Sequence, residues 1–580
     1  MAETATTAVD AVARFFDRVA NLDDPAVFIS FLNEGEAQRL ATKADQASPA
    51  SVPLRGKVFA VKDNIDVLGT PTTAGCAAFA YIPQRSATVV RRLIEAGAVP
   101  VAKTNLDQFA TGLAGTRSPF GTPRNPHDAL HAPGGSSSGS AVAVARQLVD
   151  FALGTDTAGS GRVPASFCGV VGLKPTVGRL SNQGVVPAVR SADCVSILAP
   201  SVNAAQHVLW ASDGFDGDDA FSRVAPMATP VPTLTQLRIG TPSLGALKQL
   251  GADMGTLDGH RRILDALCQL CPQIVEVDLA PFLEAGDLLY RGPLLAERFA
   301  AVGEFIEAHL DDVDPTVAEI ILQGRRYSAV ETHRASYRLA SLRRATACAF
   351  EQIDVLVVPT VLGSAWLNDA VADPIGASER LGRLTTFANL VDLCAVAIPF
   401  GIRRDDGLPF GATLYAPAWS EPTLLALAAS LNGELIPSAE SAVRSDVTTL
   451  AVVGAHLRGQ PLAHQLTDLG AQYLETTTTA PTYRLFAMPG TVPPKPALVH
   501  AHNGAAIEVD LWILDKSVIG SFLTQVLPPL ALGTVTLADG SQHIGFVAEP
   551  RALDGAIDIT HFGGWRSYIA ELALGSKDAP

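Results

Sequence analysis

The chain has 580 residues, 48% of them hydrophobic and 17% charged, a balance that supplies ample apolar surface for a core and excludes a disordered chain. Its length favours two domains over one, and its formal net charge of −15 argues against a nucleic-acid partner, so a small-molecule substrate is expected. No run reaches the roughly 18–20 apolar residues of a membrane span, and Met1-Ala2-Glu3 opens without a cationic n-region, which makes the cytoplasm the expected location and leaves no membrane partner.

Residues 7–20 read as an amphipathic helix and 26–47 as one or two more, leading through Pro53 to an apolar strand in Gly56-Lys57-Val58-Phe59-Ala60-Val61-Lys62. Lys62 ends that strand beside a polar turn, and a solvated strand end is the usual fate of such a lysine. Residues 86–97 read as a helix and 98–104 as the next strand. The alternation continues, which predicts an α/β fold with a largely parallel sheet covered by helices. Thr111-Gly112-Leu113-Ala114-Gly115-Thr116-Arg117-Ser118 is the first glycine-rich loop.

Residues 129–176 carry the chemistry. Gly134-Gly135-Ser136-Ser137-Ser138-Gly139-Ser140 supplies hydroxyls and backbone freedom, a short helix restarts at 141–145, and 149–154 reads as a strand. A second loop follows, Thr155-Asp156-Thr157-Ala158-Gly159-Ser160-Gly161-Arg162, whose consecutive N–H groups before a serine suit a tetrahedral oxyanion. Apolar flanks on both sides argue against a Gly/Ser linker. A phosphate loop needs a lysine closing the glycine run, and none lies between Lys103 and Lys174. Gly135-Ser136-Ser137-Ser138-Gly139 also fits a nucleophile elbow centred on Ser137, but no strand precedes it.

These residues resemble the amidase signature family, hydrolases of carbon–nitrogen bonds. Ala60-Val61-Lys62-Asp63-Asn64, Gly134-Gly135-Ser136-Ser137 and Gly154-Thr155-Asp156-Thr157-Ala158-Gly159-Ser160 carry the likeness, with the two serines 24 positions apart. The resemblance implies that Ser160 is the nucleophile, that Ser136 relays its proton through a cis peptide, and that Lys62 is the base. It further implies an oxyanion hole of the Thr157, Ala158, Gly159 and Ser160 N–H groups, although the family more often has glycine where Ala158 stands. Its fold is a mixed sheet sandwiched by helices, its cleft is lined by the loop bearing Gly112, and it needs neither cofactor nor metal. A lysine base must be neutral, which burial favours and which Asp63 or Asp66, if close, would oppose.

Further along, Cys268-Gln269-Leu270-Cys271 is the one CxxC among seven cysteines; without a second ligand pair its thiols are read as buried and free. Leu288 to Phe299 resembles the allophanate hydrolase branch of the family, where a tyrosine and an arginine hold the substrate carboxylate. Tyr290 and Arg298 would take those parts; an arginine paired with Glu297 or Glu304 is the plainer alternative. The amidase-like domain is expected to span 1–435, closing after Asn389-Leu390-Val391-Asp392-Leu393-Cys394-Ala395-Val396-Ala397-Ile398-Pro399, with a polar linker at 436–446. Residues 447–572 read as a smaller C-terminal α+β domain. Val453-Gly454-Ala455-His456-Leu457-Arg458-Gly459, Pro493-Pro494-Lys495-Pro496 and Thr560-His561-Phe562-Gly563-Gly564-Trp565-Arg566 resemble the C-terminal domain of allophanate hydrolases, itself similar to γ-glutamyl cyclotransferases. His456 is the candidate proton shuttle there. The resemblance as a whole implies cleavage of urea-1-carboxylate in urea breakdown, by a homodimer functionally coupled to urea carboxylase. The alternatives are a generalist amidase and one component of a multi-chain amidotransferase.

Overall fold

The computed structural model describes residues 7–48, 52–226, 232–290, 292–434 and 447–575. The expected linker 436–446 and Arg291 lie outside them. The chain divides into two compact units, Met1–Ile436 and Pro437–Pro580.

The larger unit is built on an eleven-stranded mixed sheet. Its strands are β1 (Phe28–Phe31), β2 (Val58–Lys62), β3 (Val99–Thr104), β4 (Phe151–Thr155), β5 (Val171–Lys174), β6 (Val195–Ala199), β7 (Arg238–Thr241), β8 (Gln273–Glu276), β9 (Val355–Pro359), β10 (Leu393–Ile402) and β11 (Pro409–Pro417). Their order is β1-β3-β2-β4-β6-β5-β10-β11-β9-β7-β8. Parallel pairing is confined to β3-β2-β4 and β9-β7-β8, and the centre is antiparallel, so the largely parallel sheet that simple alternation suggests gives way to the mixed one.

Strand β2 shows why the sheet is sandwiched. Its side chains alternate between faces, and all five residues are buried. Phe59 and Val61 pack with Val90, Leu93, Val202, Leu209 and Leu424, whereas Val58 and Ala60 pack with Val12, Phe15, Ala37, Ala41 and Val142 on the other face. The helix Ala8–Ala20 supplies that second layer: Thr7 caps it by accepting from the Asp10 N–H, and Ala8, Ala11, Val12 and Phe15 form its buried stripe. The region 26–47 is not helical throughout. Phe28–Phe31 forms β1, antiparallel to β3 at the sheet edge, and only Glu34–Gln46 is a helix.

The three parallel neighbours β3, β2 and β4 end at one edge of the sheet, the usual place for a site in α/β proteins. Strand β2 ends in Lys62, β3 leads into the loop carrying Asp107 and Gly112, and β4 leads into the loop carrying Ser160. The helix Ser138–Ala145, which starts immediately after the first serine cluster, packs on all three strands. Cys271 is buried, but Cys268 faces solvent near the end of the helix Met254–Leu270, against the expectation that both thiols are buried.

The smaller unit is rich in strand. Its five-stranded sheet runs in the order Gln472–Thr478, Glu508–Asp515, Val447–Val452, Gln542–Ala548, Leu530–Thr536, and three further strands form a second sheet. Leu450, Val452, Leu457, Val509, Leu511, Trp512, Phe522 and Phe546 belong to its core. No helix among the described residues is long and apolar enough to cross a membrane.

Candidate active site

Lys62 is fully buried at the end of β2. Its Nζ donates to Ser136 Oγ at 2.7 Å and to Thr155 Oγ1 at 2.8 Å, and Asn64 Nδ2 donates to the same Thr155 oxygen at 3.2 Å. The peptide between Gly135 and Ser136 is cis. Burial pushes the Lys62 amine down to about 7, against the opposing charges of Asp107, Asp156 and Asp193. The nearer residues in sequence act elsewhere: Asp63 pairs with Lys103 at 3.0 Å, and Asp66 accepts from the Tyr81 hydroxyl at 2.7 Å. An amine of this kind is neutral about half the time near pH 7 and can take a proton from a hydroxyl 2.7 Å away.

Ser160 is buried in the turn between β4 and the helix Arg162–Cys168, and its carbonyl accepts the Ser137 N–H at 3.2 Å, which joins the two serine loops. Ser137 itself is locked to β4. Its Oγ donates to the Thr155 carbonyl at 3.2 Å and accepts the Thr155 N–H at 3.4 Å, so the hydroxyl at the centre of the elbow-like pentapeptide is already engaged.

Asp156 shapes the Thr155–Arg162 loop. Its carboxylate accepts the Gly159 N–H at 2.8 Å, the Gly161 N–H at 3.1 Å, and the Arg162 guanidinium at 2.8 Å (Nη2) and 2.9 Å (Nε). Burial alone would raise this carboxyl, but Arg162 beside it more than offsets that and holds it below the usual range. Because the Gly159 N–H is committed to Asp156, it is withdrawn from the expected set of four oxyanion donors. The N–H groups of Thr157, Ala158 and Ser160 donate to no acceptor among the described residues. Gly159 has φ near +131°, and a Cβ there would collide with Thr385. Thr385 Oγ1 in turn donates to the Ala158 carbonyl at 2.7 Å, and Thr157 Oγ1 donates to Asp193 at 2.5 Å. Ala158 is fully buried in a cluster with Val189, Leu384 and Phe387.

Arg298 lies in the helix Leu295–Ala308 and Tyr290 ends the preceding helix, Ala280–Tyr290; the Gly292-Pro293 interruption separates them. Arg298 is only 1% exposed. Its Nη1 donates to Thr111 Oγ1 at 2.8 Å and its Nη2 to the Tyr290 hydroxyl at 3.1 Å, with the guanidinium carbon 5.0 Å from the centre of the Tyr290 ring. No carboxylate among the described residues lies within ion-pair distance of it, and its Nε has no partner. Glu297 accepts from Ser191 instead, at 2.6 Å (N–H) and 2.7 Å (Oγ). Asp193, whose carboxyl feels the Arg298 charge, is occupied by Thr157 and by the Ala188 and Val189 N–H groups. A cavity of about 210 Å³ is lined by Tyr290 together with Gly286, Asp287, Gly382, Arg383 and Thr386, and Arg298, Lys62, Ser136 and Ser160 are not in its lining. Gly112 stands one residue from Thr111 and packs on Asp107.

In the smaller unit, His456 follows the strand Val447–Val452 in a turn where Gly454 has φ near +72°. Its Nε2 is 2.9 Å from Gln465 Oε1, and its ring stacks on Phe546 at 4.9 Å. Burial holds its pKa below the ordinary histidine value. Among the described residues no group of three or more His, Cys, Asp or Glu side chains is arranged to hold a metal ion.

Thr155, Asp107, Asp156, Asp193 and Thr111 were not singled out by sequence reasoning. Only Asp156 carried a local signal, the Asp-x5-Arg spacing that closes the Thr155–Arg162 turn on itself.

The sequence model of the amidase family matches residues 10–425, and that of the allophanate hydrolase C-terminal domain matches residues 448–570. The urea amidolyase of Saccharomyces cerevisiae is 39% identical over 552 residues, covering 90% of this chain and 30% of its own. The chain therefore spans about a third of the length of that curated relative. A solved structure of Kluyveromyces lactis allophanate hydrolase superposes with a TM-score of 0.73 at 34% identity, covering 98% of this chain and 97% of its own. A component of the glutamyl-tRNA(Gln) amidotransferase of Prochlorococcus marinus is 32% identical over 457 residues, covering 73% of this chain and 93% of its own.

Proposed function

The chain belongs to the amidase family and is an amidohydrolase, and from that premise we propose that it hydrolyses allophanate, urea-1-carboxylate, to ammonia and N-carboxycarbamate. The observation that carries the substrate assignment is Arg298. A buried guanidinium without a carboxylate partner is costly, and its remaining N–H groups beside Tyr290 and Thr111 match a planar carboxylate of the ligand. The match of the smaller unit to the allophanate hydrolase C-terminal domain supports the same reading.

In the proposed mechanism Ser160 Oγ attacks the terminal amide carbon, its proton passing to Ser136 as the Ser136 proton passes to Lys62. The Lys62–Ser136 hydrogen bond of 2.7 Å supports that relay. The developing oxyanion is met by the Thr157, Ala158 and Ser160 N–H groups. Collapse breaks the C–N bond, the proton returns along the relay to the leaving nitrogen, and ammonia departs. Water then adds to the acyl group on Ser160 and releases N-carboxycarbamate, which loses carbon dioxide.

The smaller unit is assigned to that last stage, with His456 moving a proton as the second C–N bond breaks and with a γ-glutamyl-cyclotransferase-like fold. The reading also entails a homodimer and functional coupling to urea carboxylase, the enzyme class that makes an N-carboxylated urea. Ammonia release from allophanate, malonamate, acetamide and urea by the purified chain is the test. Turnover of the two carboxylate-bearing amides well above acetamide is expected; equal turnover of all would make the chain a generalist.

A further inference from the structure

Asp107 is fully buried between the two glycine-rich loops, and the mechanism so far gives it no part. Its Oδ1 accepts the Arg117 N–H at 2.9 Å and its Oδ2 accepts the Gly115 N–H at 3.1 Å, while its own N–H donates to the Ser136 carbonyl at 3.2 Å. It therefore holds the Thr111–Ser118 loop with its side chain and the relay serine with its backbone. Both loops press on it so closely that neither can carry a side chain at the contact. A Cβ on Gly112 would lie 2.5 Å from Asp107 Cγ, and one on Gly135, the residue before Ser136, would overlap Oδ2.

Three carboxylates act on the Lys62 amine, and two of them are engaged elsewhere. Asp156 is closed by the Arg162 guanidinium, and Asp193 by Thr157 and two main-chain N–H groups. The remaining groups around Lys62, namely Ser136, Thr155 and Asn64, are neutral. Asp107 has no ammonium or guanidinium within ion-pair distance among the described residues, and burial pushes its carboxyl above the usual range against the lowering effect of Arg117, of the two main-chain N–H groups and of Lys62. The Arg117 guanidinium, which acts on it from farther off, is tied to the Thr111 carbonyl at 2.9 Å, to Ser378 Oγ at 3.0 Å and to the Pro374 carbonyl.

We propose that Asp107 is a positioning residue of the proton relay: its carboxylate clamps the Thr111–Ser118 loop against the Ser136 loop and, where ionised, favours the protonated form of the Lys62 amine. This rests on the reading of Ser160 as nucleophile and Lys62 as base. The clamp fixes where Ser136 sits, and the charge determines how far down the pH scale Lys62 stays neutral.

The test is the rate at which a small fluorophosphonate phosphonylates Ser160 as a function of pH. In that reaction Ser160 Oγ bonds to phosphorus, fluoride leaves, and the serine proton goes to Lys62 through Ser136. The probe needs no allophanate, so a failed substrate assignment leaves this inference untouched. Asp107→Asn keeps the volume and removes the charge; the neutral amine then persists to lower pH, and the acid limb should move down by on the order of one pH unit. Gly112→Ala keeps the charge and pushes the carboxylate out of its seat; the plateau rate should fall about 10- to 100-fold, as for a misplaced relay. An unmoved limb in Asp107→Asn, or a wild-type plateau in Gly112→Ala, would overturn the proposal, and the second variant decides alone if the first does not fold.

Discussion

Replacing Arg298 with methionine separates a substrate-reading arginine from a structural one. In the free protein the guanidinium is 1% exposed and holds only two neutral oxygens, Thr111 Oγ1 and Tyr290 Oη. Each hydrogen bond from such a cation to a carboxylate contributes roughly 1.5–3 kcal/mol, so losing one costs about 10- to 150-fold in kcat/KM for a carboxylate-bearing amide. A neutral amide never makes that bond and should lose little. The same variant removes an unpaired buried charge and keeps an apolar chain of similar length, so the unfolding midpoint without ligand should hold or rise. The assay is kcat/KM for malonamate and for a neutral amide of matched size, followed by thermal unfolding with and without malonate. Malonate should stabilise the wild type and not the variant. Equal losses on charged and neutral substrates, together with a lowered midpoint, would show that Arg298 is structural and would remove the basis of the substrate assignment.

The serine and lysine series gives a second set of outcomes. Ser160→Ala and Lys62→Ala should each abolish turnover, since residues acting as one unit do not contribute additively, and Ser136→Ala should cost at least about tenfold. Ser137→Ala should retain the chemistry because its Oγ is tied to Thr155; activity lost in that variant alone would favour the elbow. The pH dependence follows from Lys62, whose amine is held down to about 7. With the neutral form as the proposed base, kcat/KM should fall about tenfold per pH unit below that value and level off above it; a profile flat from pH 5 to 8 would contradict the assignment. Truncation after Asp446 should leave ammonia release from allophanate largely intact while slowing carbon dioxide release under alkaline conditions, where the spontaneous loss is slow. Equal rates with and without the smaller unit would remove the role of His456.

What could be read in the sequence was what chemistry writes locally. Serine and glycine in Gly134–Ser140 and Thr155–Arg162, and a lysine closing an apolar strand, stand in short runs because each loop leaves the end of one strand. The Lys62–Thr155 hydrogen bond and the bond from the Asp107 N–H to the Ser136 carbonyl join residues more than twenty positions apart, and no local pattern encodes that. The Arg298–Thr111 contact joins residues 187 positions apart. Strand β1 was hidden for the same reason: Phe28–Phe31 is extended because β3 offers it an edge. Gly159 shows the reverse case, where the motif suggested a free N–H and the tertiary structure assigned it to Asp156.

The central claim is a Ser160 acyl enzyme formed through Ser136 and Lys62, and rapid-quench peptide mass analysis with malonamate tests it most directly. Malonamate carries the carboxylate for Arg298, and its malonyl ester has no N-carboxylate to lose as carbon dioxide, so an adduct caught at the quench keeps its full mass. A malonyl group on the peptide bearing Ser160, absent in Ser160→Ala and in Lys62→Ala, is the predicted result. A malonyl group on Ser137, or steady turnover with no adduct under conditions where deacylation limits the rate, would contradict it.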